Sequence, residues 1–343
     1  VTNCSTRPIP LINSPRLDDL EEPVRVQLED DYTAACREVG GLLVDAGRLR
    51  EGWQYLRAAG DKAPLQQVLG RAVPNPDNIE ELIELALHEG IDVERGFAWL
   101  LGHFGTCNAI TTLEGIAPQL TPAEVISCAT ALVRHVDREL RSGLRTHITD
   151  QEGTAPAAND TVPQLIANRP WLFQSQASHV DASHLAATVR FARVITHPPL
   201  VRLALELCDY GRQLDPTLQY AGDLPFAELY PAHRFFFQAS LGEATDEALA
   251  FFRQQAENSD PASDGTAAIE TLMVLLDRCG AADEAMAVYE RLVPEGIRLS
   301  PYAPRLVELA AKCGDWQRYE AILCQRDDPV GIALGVLKRS PVS

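Results

Sequence analysis

Two Cys-Gly pairs, Cys279-Gly280 and Cys313-Gly314, stand 34 positions apart, and each closes one apolar helix-like stretch and opens another. A helix–turn–helix unit of about this length cannot bury its apolar face alone and must stack on a neighbour. The spacing therefore points to helices packed on helices, presenting a surface for contact with another molecule. Composition agrees. The chain is rich in Ala, Leu, Glu and Arg, which favour helix, and no alternating apolar pair with a hairpin dipeptide stands out. The reading is an all-α protein.

Four segments share this grammar. In the first, Tyr32–Ala46 reads as a helix ended by Gly47, and Leu49–Ala59 as a second helix that stops before Pro64. Counting from Thr33 as position one, Gly40, Gly52, Leu56, Ala59 and Pro64 fall at eight, twenty, twenty-four, twenty-seven and thirty-two. From Leu185, the same positions hold Ala192, Ala204, Cys208, Gly211 and Pro216. The third segment, from Thr266, carries Gly280, Ala285, Tyr289 and Leu292. The fourth, from Ser300, keeps Gly314 and Leu323 but places Tyr319 where a small residue stands elsewhere. An echo, GWQYL from Gly52 against GFAWL from Gly96, recurs at a spacing of 44, so the units vary in length. Small residues at these positions let the second helix of a hairpin press closely on the first.

This pattern resembles the tetratricopeptide repeat (TPR), and the run LDRCGAADEAMAVYERLVPEGI also resembles a pentatricopeptide hairpin. The resemblance implies a right-handed α-α superhelix, a solenoid of helical hairpins. In function it implies a non-enzymatic scaffold for protein–protein interaction, holding a protein or peptide segment in a concave groove. Affinity in such a groove comes from several modest contacts on a preorganised surface. The family's groove positions fall here on Arg37, Asp45, Arg193, His197, Glu270, Asp277, Arg278, Glu308 and Lys312. Among them, Arg37, Arg193, Arg278 and Lys312 would form a basic track on one face. The Lys/Asn set with which the family grips a C-terminal carboxylate does not appear.

A formal charge of −18 weighs against nucleic acid, whose phosphates demand clustered Lys and Arg. The eight Cys include no C-x-x-C, and reduced thiols in a cytoplasmic protein are the simplest expectation. No apolar run reaches transmembrane length, so no membrane partner is expected. Along the chain, residues 1–16 read as a disordered or strapped arm. Residues 17–148 read as an N-terminal helical repeat region, 149–161 as a polar linker, and 162–338 as a C-terminal repeat region.

Two constellations carry the alternative of an enzyme. His179, Asp181 and His184 place two imidazoles and a carboxylate within one short stretch, as a metal site would, although Asp181 or Ser183 at a helix start is what an N-cap requires, and that is the simpler reading. His103, Cys107 and Asn108 suggest thiol chemistry, although Gly105-Thr106 more simply ends one helix and caps the next. The stretch Asp260–Gly265 mimics a calcium loop, but Glu270 arrives one position early. No nucleophile elbow, Walker A loop, dinucleotide fingerprint or zinc-protease motif occurs, and no cofactor is expected. A helical subunit acting through oligomerisation is a further alternative.

Overall fold

The computed structural model describes residues 21–339, which are all-α. No strand forms among the described residues. A single isolated bridge joins Ala221 to Glu228. The chain divides into two compact units, one ending at Leu100 and one beginning at Leu101. No helix among the described residues is long and apolar enough to cross a membrane. Residues 1–16 lie outside the described residues.

The first unit contains α1 (Glu22–Asp45), α2 (Leu49–Ala58), α3 (Ala63–Leu69), α4 (Ile79–Ile83), a π-helical turn (Glu84–His88) and the start of α5 (Val93–Ile116). Helices α1 and α2 meet through two glycines. A Cβ on Gly40 would lie 2.6 Å from Leu56 Cγ, and one on Gly52 would lie 2.7 Å from Val44 Cγ2. The small residues at positions eight and twenty of the first segment are thus what the helix crossing requires. Beneath them Val44, Trp53, Leu56, Leu65, Leu69 and Leu82 share one core. The turn after the π-helical segment is pinned by side chains. Trp53 Nε1 donates to Glu89 at 2.7 Å, and Lys62 Nζ donates to the Gly90 carbonyl at 2.7 Å.

The second unit begins within α5, which breaks at Gly105 (φ 81°). Its longest element is α6 (Pro122–Glu152). Thr121 Oγ1 accepts from the Glu124 amide while the Glu124 carboxylate accepts from the Thr121 amide, and Pro122 occupies the first turn. This capping box satisfies backbone donors that the helix leaves open. Gly153, in the left-handed region at φ 71°, stops it. The buried face of α6 runs from Val125 through Leu132, Val136, Leu140 and Leu144 to Ile148. Against it pack α7 (Val162–Ile166), α8 (Ala182–Phe191) and α9 (Pro198–Gly211).

Seven further helices follow: α10 (Leu229–Ser240), α11 (Thr245–Asn258), α12 (Ala267–Arg278), α13 (Ala282–Leu292), α14 (Leu306–Cys313), α15 (Trp316–Gln325) and α16 (Pro329–Arg339). From α9 onward each helix packs on the next. Phe236 on α10 meets Phe252 on α11 edge-on at 6.1 Å between ring centroids, and both rings are buried.

In the stretch 149–161, expected as a linker, the first residues continue α6 to Glu152, and the remainder is a tethered loop. Arg145 donates to the carbonyls of Pro156, Ala157 and Ala158, and Arg141 donates to that of Asp160 at 2.7 Å. The division between the two compact units lies inside α5.

Candidate functional site

The polar face of α6 lines an open groove. His135, Arg138, Glu139, Ser142, Gly143, Thr146, His147 and Asp150 recur at three- and four-residue steps, which places them on one helix face. Ala177, Ser178 and His179 form the opposing wall, and the groove between them has a volume of about 820 Å³. A second cavity of about 420 Å³ adjoins it, sharing Glu139 and His179 and adding Phe104, Thr106, Cys107, Val180, Asp181 and His184. Cys107 and the His179–His184 segment, 72 residues apart from Cys107 to His179, therefore face the same cleft.

The wall can approach α6 because residue 143 lacks a side chain. A Cβ on Gly143 would lie 2.7 Å from the His179 carbonyl oxygen. This approach brings His147 Nδ1 to 2.8 Å from His179 Nε2. One nitrogen must carry the shared proton and the other present its lone pair. On the far side, the Tyr210 hydroxyl oxygen accepts from the His179 amide at 2.8 Å and lies 2.9 Å from His179 Nδ1. Trp171 meets the His147 ring edge-on at 5.2 Å between centroids. Burial, followed by the charge of His147, pushes the His179 imidazole down to about 4. Burial raises the Tyr210 phenol. The result is a hydrogen-bonded chain of Tyr210, His179 and His147, neutral at physiological pH at its centre, with His147 at the groove.

Asp181 does not join this chain. Its carboxylate caps α8, accepting from the amides of Ser183 and His184 and from Ser183 Oγ, and these bonds, the hydroxyl first, lower its pKa. Among the described residues no group of three or more His, Cys, Asp or Glu is placed to hold a metal ion. His179, Asp181 and His184 are thus not assembled as metal ligands, because the carboxylate is spent on the helix end. His103 is exposed on α5 and does not line either cavity. Asn108 gives its amide to the Phe104 carbonyl.

The residues named by the repeat register lie elsewhere. Arg37 and Asp45 are exposed on α1 in the first unit. In the second, Arg193 lies over the Phe226 ring at 4.8 Å and Arg278 over Phe236 at 5.0 Å. Arg278 Nη2 also donates to the Arg193 carbonyl at 2.6 Å. Burial lowers both guanidinium pKa values, that of Arg278 to about 10. Lys312 pairs with Asp277 at 2.6 Å, Glu308 accepts from the Arg305 amide at the start of α14, and Glu270 accepts from Thr266 Oγ1. His197 stands exposed at the N-cap position of α9. Arg193 and Arg278 do adjoin one another, but their charges are stacked on aromatic rings between helices.

Sequence reasoning missed Glu139, Gly143, His147 and Tyr210. The available signal was the run of polar residues at helical spacing from His135 to Asp150, opposite the largely apolar face from Val125 to Ile148. No protein-family model, curated protein or solved structure matches the chain.

Proposed function

We propose that the chain is a non-enzymatic, TPR-like helical scaffold, and that it binds a protein or peptide segment along the polar face of α6. The observation that carries this reading is the groove itself. It is open and runs along one helix face from His135 to Asp150 beside the 177–179 wall, which suits an extended or helical segment better than a compact small molecule. The succession of helices from α9 to α16, each packed on the next, supports a stack of hairpins as the framework. The groove lining mixes Arg138, Glu139, Ser142, Thr146 and Asp150, a set suited to a polar polypeptide and too acidic to follow a phosphate backbone.

A photo-crosslinking residue at Ser142 tests the site. It is expected to capture a polypeptide partner, and Ser142→Trp is expected to abolish that capture while the helical spectrum stays unchanged. A partner bound with equal affinity by Ser142→Trp and wild type would remove the groove from the binding surface.

One observation favours a second reading, acid–base chemistry in the same cleft: the chain from Tyr210 through His179 to His147 ends at the groove. Turnover lost in His147→Gln with partner binding retained would select it.

A further inference from the structure

The same pair of imidazoles points to a device that controls the groove. We infer that the His147–His179 hydrogen bond is a proton-operated clasp, holding the 177–179 wall against α6 when one proton is shared and releasing it when both rings are charged.

The inference deepens the groove reading, but the movement of the wall does not depend on what the groove binds. It starts from geometry. Two imidazole nitrogens 2.8 Å apart are bonded only while one of them is bare, because two N–H groups facing each other have no acceptor. The neutral pair keeps its bond on taking up one proton, as an imidazolium donating to an imidazole, and a second proton taken up replaces that attraction with contact between two cations. The wall has few other ties to α6 at this point. Its backbone rests on the empty position at Gly143, a contact that excludes volume but supplies no hydrogen bond. His179 is otherwise held from the α9 side, through its amide and Nδ1 on Tyr210. Release from His147 thus leaves the wall attached to α9 and free to part from α6.

The surrounding charges do not supply a substitute acceptor. On α6, Glu139 is engaged by Thr106 Oγ1 and His135, Arg138 repeats the positive sign, and Asp150 is exposed. On the wall side, Asp181 is committed to the α8 cap. From α9, burial keeps the Tyr210 phenol protonated throughout the acid range. The charge acting on His179 is that of His147, which together with burial delays the second proton toward pH 4.

Paired spin labels at Ser178 on the wall and Arg138 on α6, both exposed, test the clasp in the free full chain through their separation at pH 7.5 and pH 4. The expected result is a longer separation at pH 4, with the amides of Leu140 and Leu144 still protected from hydrogen exchange. His147→Gln provides the second arm. Glutamine offers both a donor and an acceptor to His179 Nε2 but takes no charge, so this variant should keep the short separation at pH 4. An unchanged separation in the wild-type background overturns the inference, as does loss of protection along α6, or a glutamine variant that opens like wild type. If His147→Gln fails to fold, the wild-type comparison alone decides. Segment binding is measured separately with Ser142→Trp, so a failure of the groove reading leaves this result standing.

Discussion

Arg141 on α6 donates from Nη2 to Glu206 Oε2 on α9 across 2.7 Å, at a place where the Glu206 side chain is almost wholly withdrawn from water. The same guanidinium gives its Nε to both oxygens of Asp137, at 2.8 and 2.9 Å. The Val162 amide completes the Glu206 carboxylate at 3.0 Å. One cation therefore holds two buried carboxylates and joins α6, α7 and α9. Removing it leaves two like charges in a poorly solvated site. Arg141→Met should cost about 3–5 kcal/mol, read from urea denaturation midpoints. A loss below about 1 kcal/mol would show that solvent reaches the site.

Close helix approach makes a separate prediction. Ala204 and Ala285 are fully buried, whereas Ala262 is exposed. Leucine at either buried position should cost about 1–3 kcal/mol through overpacking, and leucine at Ala262 should be nearly silent. Equal melting temperatures across the three variants would refute the packing argument.

His233 should give the fold an acid limit. Its Nδ1 donates to the Leu229 carbonyl at 2.7 Å, its ring stacks on Phe226, and Nε2 has no hydrogen-bond partner. Burial first, then the charge of Arg193, lowers its pKa from 6.5 to about 3. Unfolded, the ring takes a proton below pH 6.5; folded, it resists until about pH 3. The unfolded chain thus binds more protons within that window, and stability falls as pH drops through it, by about 1.4 kcal/mol per pH unit from this group. His233→Phe keeps the stacking and removes the titration. Comparing unfolding free energies at pH 7 and pH 5 should show a shallower dependence in the variant, and identical slopes would count against the assignment.

Charge reversal separates the register residues into two kinds. Lys312 is an exposed partner of Asp277, a pair worth about 0.2–1 kcal/mol. Arg278 lies partly buried over Phe236 and makes no ion pair among the described residues, the neighbouring Asp277 being engaged by Lys312. Lys312→Glu should leave the fold nearly unchanged, whereas Arg278→Glu should lower the melting temperature severely by burying an unpaired anion. Similar melting temperatures for the two variants would show that Arg278 is solvated.

Arg145 sets the accessibility of the loop after α6. Residues 151–155 are exposed, yet Arg145 grips the carbonyls of Pro156, Ala157 and Ala158. Arg145→Ala should accelerate proteolytic cutting between Gly153 and Asn159 several-fold, since untethered exposed loops are cut first. Cleavage at the wild-type rate would assign the loop's order to something else.

The helical class was legible because its punctuation is local. Thr121, Pro122 and Glu124 form the cap that their order suggests, and Gly40 and Gly52 occupy a close crossing. The tethering of the loop after α6 was not legible, because two arginines reach forward to its backbone carbonyls and composition carries no trace of that. The groove was half legible. Cys107 and the His179 segment stood out as chemistry-bearing, but their meeting depends on a fold that brings α5, α6 and the 177–181 wall together. His147 escaped notice for the same reason, since its partner lies 32 residues away. Arg193 and Arg278 were placed by repeat register, which says which helix face they occupy but not that Phe226 and Phe236 would meet them there.

The polar stripe on α6 also sets a limit on what can be read from it. Its lining residues recur once per helical turn, about 5.4 Å, while alternate side chains of an extended polypeptide recur about every 6.6 Å. The two scales drift apart by about 1.2 Å per turn and are half a turn out of step after about two turns. From His135 to Asp150 the stripe covers about 22 Å, roughly four turns. An extended segment laid along it can therefore match side chain to side chain over only two or three neighbouring turns. Sequence selectivity would concentrate in that short stretch, and the rest of the groove would contribute adhesion without discrimination.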